Sequence, residues 1–225
     1  MMKVQNYIPR AVDDKIDLYL TLFGAVCIEG PKWCGKTWSS AYHSKSSFYL
    51  GSPQGSFQNR KMAEMTPDIV LLGETPRLID EWQDVPLLWD AVRFEVDKRG
   101  KKGQFILTGS ATPNHKGILH SGAGRIGRLR MRPMSLYESK NSTGEVSLKA
   151  VCEGSSCSSP IKEVSLLDII NLIIRGGWPA NVGYSAKNSS KTAAEYLHAI
   201  LSDDVFRIDG IKRDASKMKL LLKSL

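Results

Sequence analysis

The sequence lacks the features of a chain that crosses or enters a membrane. Its 225 residues contain no run of eighteen apolar residues, the length that a membrane-spanning helix needs. The first residues, Met-Met-Lys-Val-Gln-Asn-Tyr, lack the apolar core of a signal peptide. We therefore expect a cytoplasmic protein that has no membrane partner.

Cysteine is also scarce, and its positions favour neither a disulfide framework nor a metal centre. Of the four cysteines, Cys27 and Cys34 fall in and just after a short apolar run, whereas Cys152 and Cys157 fall in a segment rich in Gly and Ser. No histidine lies near the second pair in the sequence, so the case for a zinc site is weak. This cysteine usage fits a reducing compartment.

Acidic residues are absent from one segment, and this concentrates the positive charge of the chain. The formal net charge is +8, and residues 98–132 alone contain nine Lys/Arg and no Asp or Glu. Lys98 and Arg99 come at the end of a predicted helix, where cations complement the helix dipole. Between Arg125 and Arg132, arginine alternates with Ile, Leu and Met, which predicts a strand with one basic and one apolar face.

The sequence does contain a complete phosphate-binding pattern. Residues 30–37 read Gly-Pro-Lys-Trp-Cys-Gly-Lys-Thr, which matches G-x-x-x-x-G-K-[ST], and they lie between an apolar run and a predicted helix. A loop that wraps its backbone N–H groups around a phosphate needs Gly30 and Gly35, where a Cβ atom would block the approach. Lys36 would bind the β- and γ-phosphates, and Thr37 would offer its hydroxyl to Mg²⁺.

A hydrophobic strand that ends in two carboxylates forms the second motif. Arg77-Leu-Ile precedes Asp80 and Glu81, as in a Walker B segment. Asp80 would hold Mg²⁺, directly or through water, and Glu81 would polarise the water that attacks the γ-phosphate. An adjacent glutamate suits transfer of phosphate to water better than transfer to a metabolite. The alternative interpretation is a strand end that carries two solvated acids.

A third predicted strand, 104–110, ends in small hydroxyl residues. Ligands of open α/β sheets bind at the carboxyl ends of the strands, so Thr108 or Ser110 could sense the γ-phosphate or position the lytic water. An ordinary polar turn after the strand is the alternative. The predicted nucleotide-binding residues are Gly30, Pro31, Lys32, Trp33, Cys34, Gly35, Lys36, Thr37, Trp38 and Thr108.

The basic segment 98–132 is open to three interpretations. Arg125 or Arg128 could act as an arginine finger that completes a nucleotide site in its own or a neighbouring subunit, and the second case requires a homo-oligomer. The segment could instead contact nucleic-acid phosphates. The third interpretation is a solvated strand edge, where positive charges protect against aggregation.

Composition divides the chain into three parts. We predict a nucleotide-binding domain over residues 1–138 and a polar linker or surface insertion over 139–163, which is rich in Ser, Gly and Thr. Residues 164–225 show helical patterns, with a stop at Gly176-Gly-Trp-Pro179. The last pattern reaches the end of the chain without a stop signal, and we therefore expect a C-terminal domain that is cut short.

Several motifs, in this order, resemble the bacterial AAA-type ATP-binding proteins that pair an AAA_14 domain with a C-terminal DUF4143 domain. The motifs that carry the resemblance are Tyr7-Ile-Pro-Arg10, residues 30–37, Leu78-Ile-Asp-Glu-Trp-Gln83, Phe105-Ile-Leu-Thr-Gly-Ser-Ala-Thr-Pro113, Arg125-Ile-Gly-Arg-Leu-Arg-Met-Arg-Pro-Met-Ser-Leu-Tyr-Glu138 and Arg175-Gly-Gly-Trp-Pro-Ala180. The resemblance implies an α/β P-loop NTPase with a mostly parallel central sheet flanked by helices, followed by a small helical, winged-helix-like segment. It also implies ATP hydrolysis with Mg²⁺.

The resemblance and the residues together define the predicted site. The predicted catalytic residues are Glu81, Lys36, Arg125, Arg128 and Ser110, and the predicted metal ligands are Thr37 and Asp80. The leading hypothesis is an ATPase that drives a conformational switch, with a DNA-linked step left open. The alternative is a nucleotide-controlled module that binds DNA or protein with little turnover. A small-molecule kinase is the third hypothesis, and the Asp-Glu pair counts against it.

Overall fold

The computed structural model describes residues 6–52, 56–110, 117–156, 158, 163–201 and 214–224. The chain divides into two compact units, residues 1–142 and 143–225. The division falls inside the predicted linker. In the described part of the chain, no helix has both the length and the apolar character needed to span a membrane.

The first unit is built on a five-stranded sheet in which every described pairing is parallel. The strands are β1 (Ala25–Gly30), β2 (Ser46–Tyr49), β3 (Arg77–Asp80), β4 (Phe105–Ser110) and β5 (Ile126–Arg130), in the spatial order β2-β3-β4-β1-β5. The central strands are continuous apolar runs, as expected for a parallel sheet that is covered on both faces. The predicted α/β fold with a parallel sheet is therefore confirmed.

Helices cover both faces of this sheet. They are α1 (Asp13–Leu22), α2 (Lys36–Tyr42), α3 (Ser56–Met65), α4 (Pro67–Val70) and α5 (Leu87–Arg99), with a 3₁₀ turn at Trp82–Asp84. Ile16 of α1 and Ala41 of α2 belong to the core on one face, and helices α3 to α5 supply the core on the other. Helix α5 ends in Lys98 and Arg99, as predicted, and Gly100 follows in the left-handed conformation that commonly ends helices.

Two tryptophans fill the core on the α5 side. Trp82 and Trp89 are fully buried, and their ring centroids lie 4.8 Å apart. They are packing residues, because no face of either ring is left exposed for a nucleic-acid base. Full burial of a large apolar side chain contributes about 1.5–3 kcal/mol, so this pair is a substantial part of what holds α5 on the sheet.

Strand β5 forms one edge of the sheet and carries the predicted alternation of basic and apolar residues. Ile126 and Leu129 are buried, whereas Arg128 and Arg130 are exposed. The guanidinium of Arg128 lies 4.8 Å from the centroid of the Trp89 ring, a cation–π arrangement that fixes this arginine against α5.

Helices are the regular secondary structure in the described residues of the second unit, and turns and irregular segments connect them. Its helices are α6 (Leu148–Cys152), α7 (Leu166–Arg175), α8 (Ala186–Ala199) and α9 (Ala215–Lys223), with a 3₁₀ turn at Pro179–Asn181. Helix α7 begins with a capping box between Ser165 and Asp168 and stops before Gly176, as predicted. The winged-helix character of this unit stays a prediction, and Cys157 lies outside the described residues.

Candidate nucleotide-binding site

The glycine-rich loop connects the carboxyl end of β1 to the amino end of α2, as its motif requires. Helix α2 begins at Lys36, inside the motif. Two residues of the loop have left-handed backbones, Trp33 with φ 66° and Gly35 with φ 102°. The chain therefore turns back sharply into the helix, so the N–H groups at the start of α2 are available to an anion.

Gly30 has a steric role in addition to the predicted one at the phosphate. A Cβ atom at Gly30 would lie 2.4 Å from the carbonyl oxygen of Met131 and 3.2 Å from the Sγ atom of Cys34. The backbone N–H of Met131 also donates to the carbonyl of Glu29 at 2.7 Å. The glycine therefore permits the chain beyond β5 to pass against the base of the loop.

Lys36 is almost buried and is bound by its own loop. Its side-chain amine donates to the carbonyl oxygens of Gly30 and Pro31, each at 3.0 Å, and only 8% of the residue is exposed. Both acceptors are neutral, whereas an anionic acceptor would add the attraction of opposite charges to the hydrogen bond. A phosphate oxygen in the loop is therefore a better partner for this amine than the carbonyls that hold it.

The other predicted nucleotide-binding residues of the loop differ in exposure. Cys34 is fully buried, so direct contact of its side chain with a nucleotide stays a prediction. Trp33 and Trp38 are 47% and 45% exposed on either side of Gly35, and Lys32 is also exposed. The two exposed rings are the loop's largest apolar surfaces, and their contact with a nucleotide stays a prediction.

Thr37, Asp80 and Thr108 are joined by short hydrogen bonds at the carboxyl edge of the sheet. The Thr37 hydroxyl donates to Oδ1 of Asp80 at 2.9 Å, and the Thr108 hydroxyl donates to the same oxygen at 2.6 Å. Burial raises the pKa of Asp80, and the two hydroxyls partly offset this effect. The predicted Walker A and Walker B residues are therefore adjacent in the fold.

The chemistry of Thr37 and Asp80 fits a magnesium ion. Mg²⁺ prefers oxygen ligands, and with a nucleotide it uses one or two protein ligands, several waters and phosphate oxygens. The Thr37 hydroxyl and the Asp80 carboxylate offer such oxygens next to the loop. Among the described residues, no group of three or more His, Cys, Asp or Glu could hold a metal without other ligands.

Glu81 has an unusual backbone immediately after Asp80. Its φ and ψ of 60° and 45° are left-handed, a conformation that costs of order 1–3 kcal/mol for a non-glycine residue and clusters at functional sites. The Gln83 amide donates to the Glu81 carboxylate, and the Glu81 backbone N–H donates to Thr108 Oγ1 at 3.0 Å. Burial raises the pKa of Glu81, and the Gln83 hydrogen bond partly offsets the rise.

The structure gives Gln83 a function that the sequence analysis did not assign. Gln83 was part of the recognised Asp-Glu-Trp-Gln string, but its contact with Glu81 depends on the 3₁₀ turn that brings position 83 back over position 81. A polar residue two positions after a candidate base is the only sequence signal, and it is weak without the turn.

Thr108 holds the Walker B residues in place. It is 0% exposed, and its hydroxyl both donates to Asp80 and accepts from the Glu81 backbone. It therefore supports Asp80 and Glu81 through hydrogen bonds, and its contact with the nucleotide or the lytic water stays a prediction. Ser110 ends β4 opposite Gly30 in the register, and its side chain lies outside what the structure describes.

We predict that Thr108→Val weakens Mg²⁺-dependent nucleotide binding. Valine keeps the shape of threonine but leaves the Glu81 N–H without its acceptor and removes one donor from Asp80, at a cost of about 1–3 kcal/mol in stability. Thr108→Ser keeps the hydroxyl and is the matched control. Both variants are compared by thermal unfolding and by nucleotide titration with and without Mg²⁺. Equal nucleotide affinities in the two variants would contradict the role of the Thr108 hydroxyl.

Neither candidate arginine finger reaches the loop of its own chain. The backbone carbonyl of Arg125 accepts from the N–H of Ala25, at the amino end of β1, and its side chain pairs with Asp97 at 2.9 Å. Strand β1 separates Arg125 from the loop by about 16 Å. Arg128 lies opposite Cys27 in the middle of the strand, and its guanidinium is held over the α5 tryptophan. A finger supplied to a neighbouring subunit stays a prediction.

This combination of sheet, loop and carboxylates defines a P-loop nucleotide-binding protein. The strand that carries the loop lies between β4 and β5, and Asp80 at the end of β3 contacts the first hydroxyl after Lys36. The profile of the AAA_14 family, an AAA domain, matches residues 23–140, just over half of the chain. The chain belongs to this family.

Two solved structures are similar to this chain over part of their length. The AAA domain of FIGL-1 in complex with ADP is 14% identical, over 91% of this chain and 72% of that one, with a TM-score of 0.36. A single-site variant of RuvB from Thermotoga maritima is 21% identical, over 57% of this chain and 47% of that one, with a TM-score of 0.32. The chain thus spans about half the length of the RuvB structure. A search of curated proteins finds no match.

Proposed function

We propose that this protein binds ATP together with Mg²⁺ and hydrolyses it to drive a conformational switch. The observation that carries the proposal is the pair of hydrogen bonds from Thr37 and Thr108 to Asp80. These bonds join the end of the phosphate-binding loop to the ends of β3 and β4. A loop that only resembled the P-loop pattern would have no reason to adjoin a buried carboxylate.

The binding roles follow from the position of each group. Lys36 exchanges the carbonyls of Gly30 and Pro31 for β- and γ-phosphate oxygens, and the amino end of α2 adds its N–H groups. Thr37 and Asp80 hold Mg²⁺, which neutralises charge that develops on the phosphates during the reaction. Each of these groups is already placed at the carboxyl edge of the sheet, so binding needs only local adjustment.

Glu81 is the residue proposed to activate water. Its carboxylate accepts a proton as the water oxygen forms a bond to the γ-phosphorus, and the bond from that phosphorus to the bridging oxygen breaks, so ADP leaves with the electron pair. The left-handed backbone and the hydrogen bonds from Gln83 and to Thr108 restrict the orientations of Glu81. Such restriction supports hydrolysis, because a base must be positioned before it can act.

A second candidate function rests on the two exposed arginines of β5 and on Arg132, which follows the strand. Arg128, Arg130 and Arg132 are all exposed within an acid-free segment of the sequence. A nucleotide-controlled module could use them to contact DNA phosphates, with occupancy of the loop setting the affinity and with little turnover. Binding of this kind weakens steeply as salt rises, because phosphate contacts release counterions.

Steady-state release of phosphate from Mg·ATP, with and without duplex DNA, tests the proposal. Turnover supports the ATPase, and stimulation by DNA would add a nucleic-acid partner. Saturable ATP binding with no turnover under either condition would favour the binding module. In that case DNA affinity measured with ATP, with ADP and at two salt concentrations decides whether the partner is a nucleic acid.

A further inference from the structure

Arg10 is a buried arginine that binds the outer side of the P-loop. Its Nη1 atom donates to the carbonyl of Cys34 at 2.6 Å, and its Nη2 atom donates to the carbonyl of Arg132 at 2.8 Å. Its Nε atom pairs with Glu138 at 2.9 Å, and only 7% of Arg10 is exposed. A buried guanidinium is costly unless its charge and its donors find partners. Glu138 supplies the opposite charge, and the three contacts engage Nε and both terminal nitrogens.

Glu138 is the anion that allows Arg10 to be buried. Its carboxylate also accepts from the backbone N–H of Ala11 at 2.8 Å, and from both the N–H and the hydroxyl of Ser135 at 2.6 and 2.9 Å. Burial acts to raise the pKa of Glu138, but the N–H groups and the Arg10 guanidinium hold that pKa below its usual value. Arg10 therefore links three segments of the first unit: its N-terminal part, the loop and the chain beyond β5.

The contact with Cys34 bears directly on the phosphate site. The described non-proline peptide bonds are trans, so the Cys34 carbonyl and the Gly35 N–H, which belong to one planar peptide unit, face opposite ways. Arg10 fixes the carbonyl and thereby directs the Gly35 N–H to the other side of the loop. In a P-loop, the backbone N–H groups of these positions cradle the phosphates.

We propose that Arg10 is a positioning residue for phosphate: it holds the Cys34–Gly35 peptide in the orientation that presents the Gly35 N–H to the nucleotide. This inference rests on the proposed nucleotide site, and Arg10 itself does not touch the ligand. It also gives a role to the Tyr7-Ile-Pro-Arg10 motif, which the proposed chemistry leaves unused. Glu138 acts through Arg10 in the same way, because it fixes the guanidinium from its far side.

Arg77 provides a matched control for Arg10. It is also a buried arginine bound to a backbone carbonyl: its Nε atom donates to Val70 at 2.6 Å, and its Nη1 atom donates to the Ser46 hydroxyl at 2.9 Å. Arg77 begins β3, at the opposite end of that strand from Asp80. Its replacement should therefore disturb folding to a similar degree without disturbing the loop.

The experiment compares Arg10→Met, Arg10→Lys and Arg77→Met with the wild type. Melting temperature and the dissociation constant for a fluorescent ATP analogue are measured for each, the latter well below every melting temperature. We expect both methionine variants to melt earlier. Only Arg10→Met should bind the analogue about tenfold more weakly, because the peptide loses a charged hydrogen-bond donor. Arg10→Lys keeps the charge and can keep one bond to the Cys34 carbonyl, so its affinity should lie between those of Arg10→Met and wild type.

The possible failures are distinguishable. If Arg10→Met melts earlier but binds the analogue with wild-type affinity, Arg10 only stabilises the fold. The same conclusion follows if Arg77→Met loses as much affinity for the analogue as Arg10→Met does. If the wild type itself does not bind the analogue, the proposed nucleotide site fails and this inference fails with it. If Arg10→Met does not fold, Glu138→Gln decides: it keeps an acceptor for Arg10 without the charge, and unchanged affinity would overturn the inference.

Discussion

Glu81→Gln is expected to lower the rate of ATP hydrolysis by about 10²–10⁴-fold while leaving ATP affinity near that of the wild type. Glutamine keeps the size of the side chain and an oxygen that can accept a hydrogen bond, but it cannot take a proton from water. The loop, the amine of Lys36 and the pair of Thr37 and Asp80 are unchanged, so ATP should bind and remain intact. Single-turnover hydrolysis and analogue titration on the same preparations separate the two effects.

Asp84→Asn is the control for the loss of a negative charge near the site. Asp84 lies in the 3₁₀ turn that follows Glu81, and it pairs with Arg60. Its replacement therefore removes a nearby carboxylate without removing the proposed base. Its turnover should stay within a few-fold of the wild type. Equal loss of ATP binding in Glu81→Gln and Lys36→Ala would show instead that Glu81 supports the architecture of the site, and its assignment as the base would be wrong.

Lys36→Ala is expected to weaken ATP binding by about tenfold to a hundredfold. A charged hydrogen bond contributes about 1.5–3 kcal/mol, and alanine removes the side-chain amine that the Gly30 and Pro31 carbonyls already hold at the loop. The two carbonyls also lose their donor, so part of the loss comes from a loop that is less well ordered. Titration with the ATP analogue measures the change.

Lys45→Ala is the control for this second prediction. Lys45 is an exposed lysine that lies just before β2, at the edge of the sheet opposite the loop. Its removal changes the net charge by the same amount, so any general electrostatic effect on a phosphate ligand appears in both variants. If the affinities of Lys36→Ala and Lys45→Ala are equal, the loop is not the phosphate site.

The motifs that could be predicted from sequence are those that depend on residues adjacent to one another in the chain. The loop from Gly30 to Thr37 needs a strand before it and a helix after it, and these are encoded by neighbouring residues. Asp80 likewise follows directly from the apolar run that forms β3. The parallel sheet followed from the same runs, because strands that are buried on both faces are apolar at nearly every position.

The contacts that could not be predicted are those between residues distant in the chain. The alternating pattern around Arg128 correctly indicated which residues of β5 face solvent, but only the register with β1 shows that Arg125 lies at the end away from the loop. The end of β4 predicted that Thr108 lies near the ligand, but its hydrogen bond to Asp80, 28 positions away in the sequence, has no signal in the sequence. Arg10 reaches the loop across 24 positions of sequence, and no periodicity marks such a contact.

The second unit shows the limit of what sequence pattern establishes. Helix α7 was predicted from its apolar spacing and its stop at Gly176, and both are present. Most of its large apolar side chains, including Leu166, Ile169, Ile170 and Ile173, are nevertheless exposed. Apolar residues at helical spacing indicate a face that can be buried, but they do not identify what buries it.

The central claim is that the loop and Asp80 form a single site for nucleotide and Mg²⁺, and calorimetric titration of the wild type with ATP tests it most directly. With Mg²⁺ present, the account predicts saturable binding of one ATP per chain. With Mg²⁺ removed by a chelator, it predicts weaker binding, because the Thr37 and Asp80 oxygens would lose the ion that links them to the phosphates. No saturable binding, or an affinity that Mg²⁺ leaves unchanged, would contradict the claim.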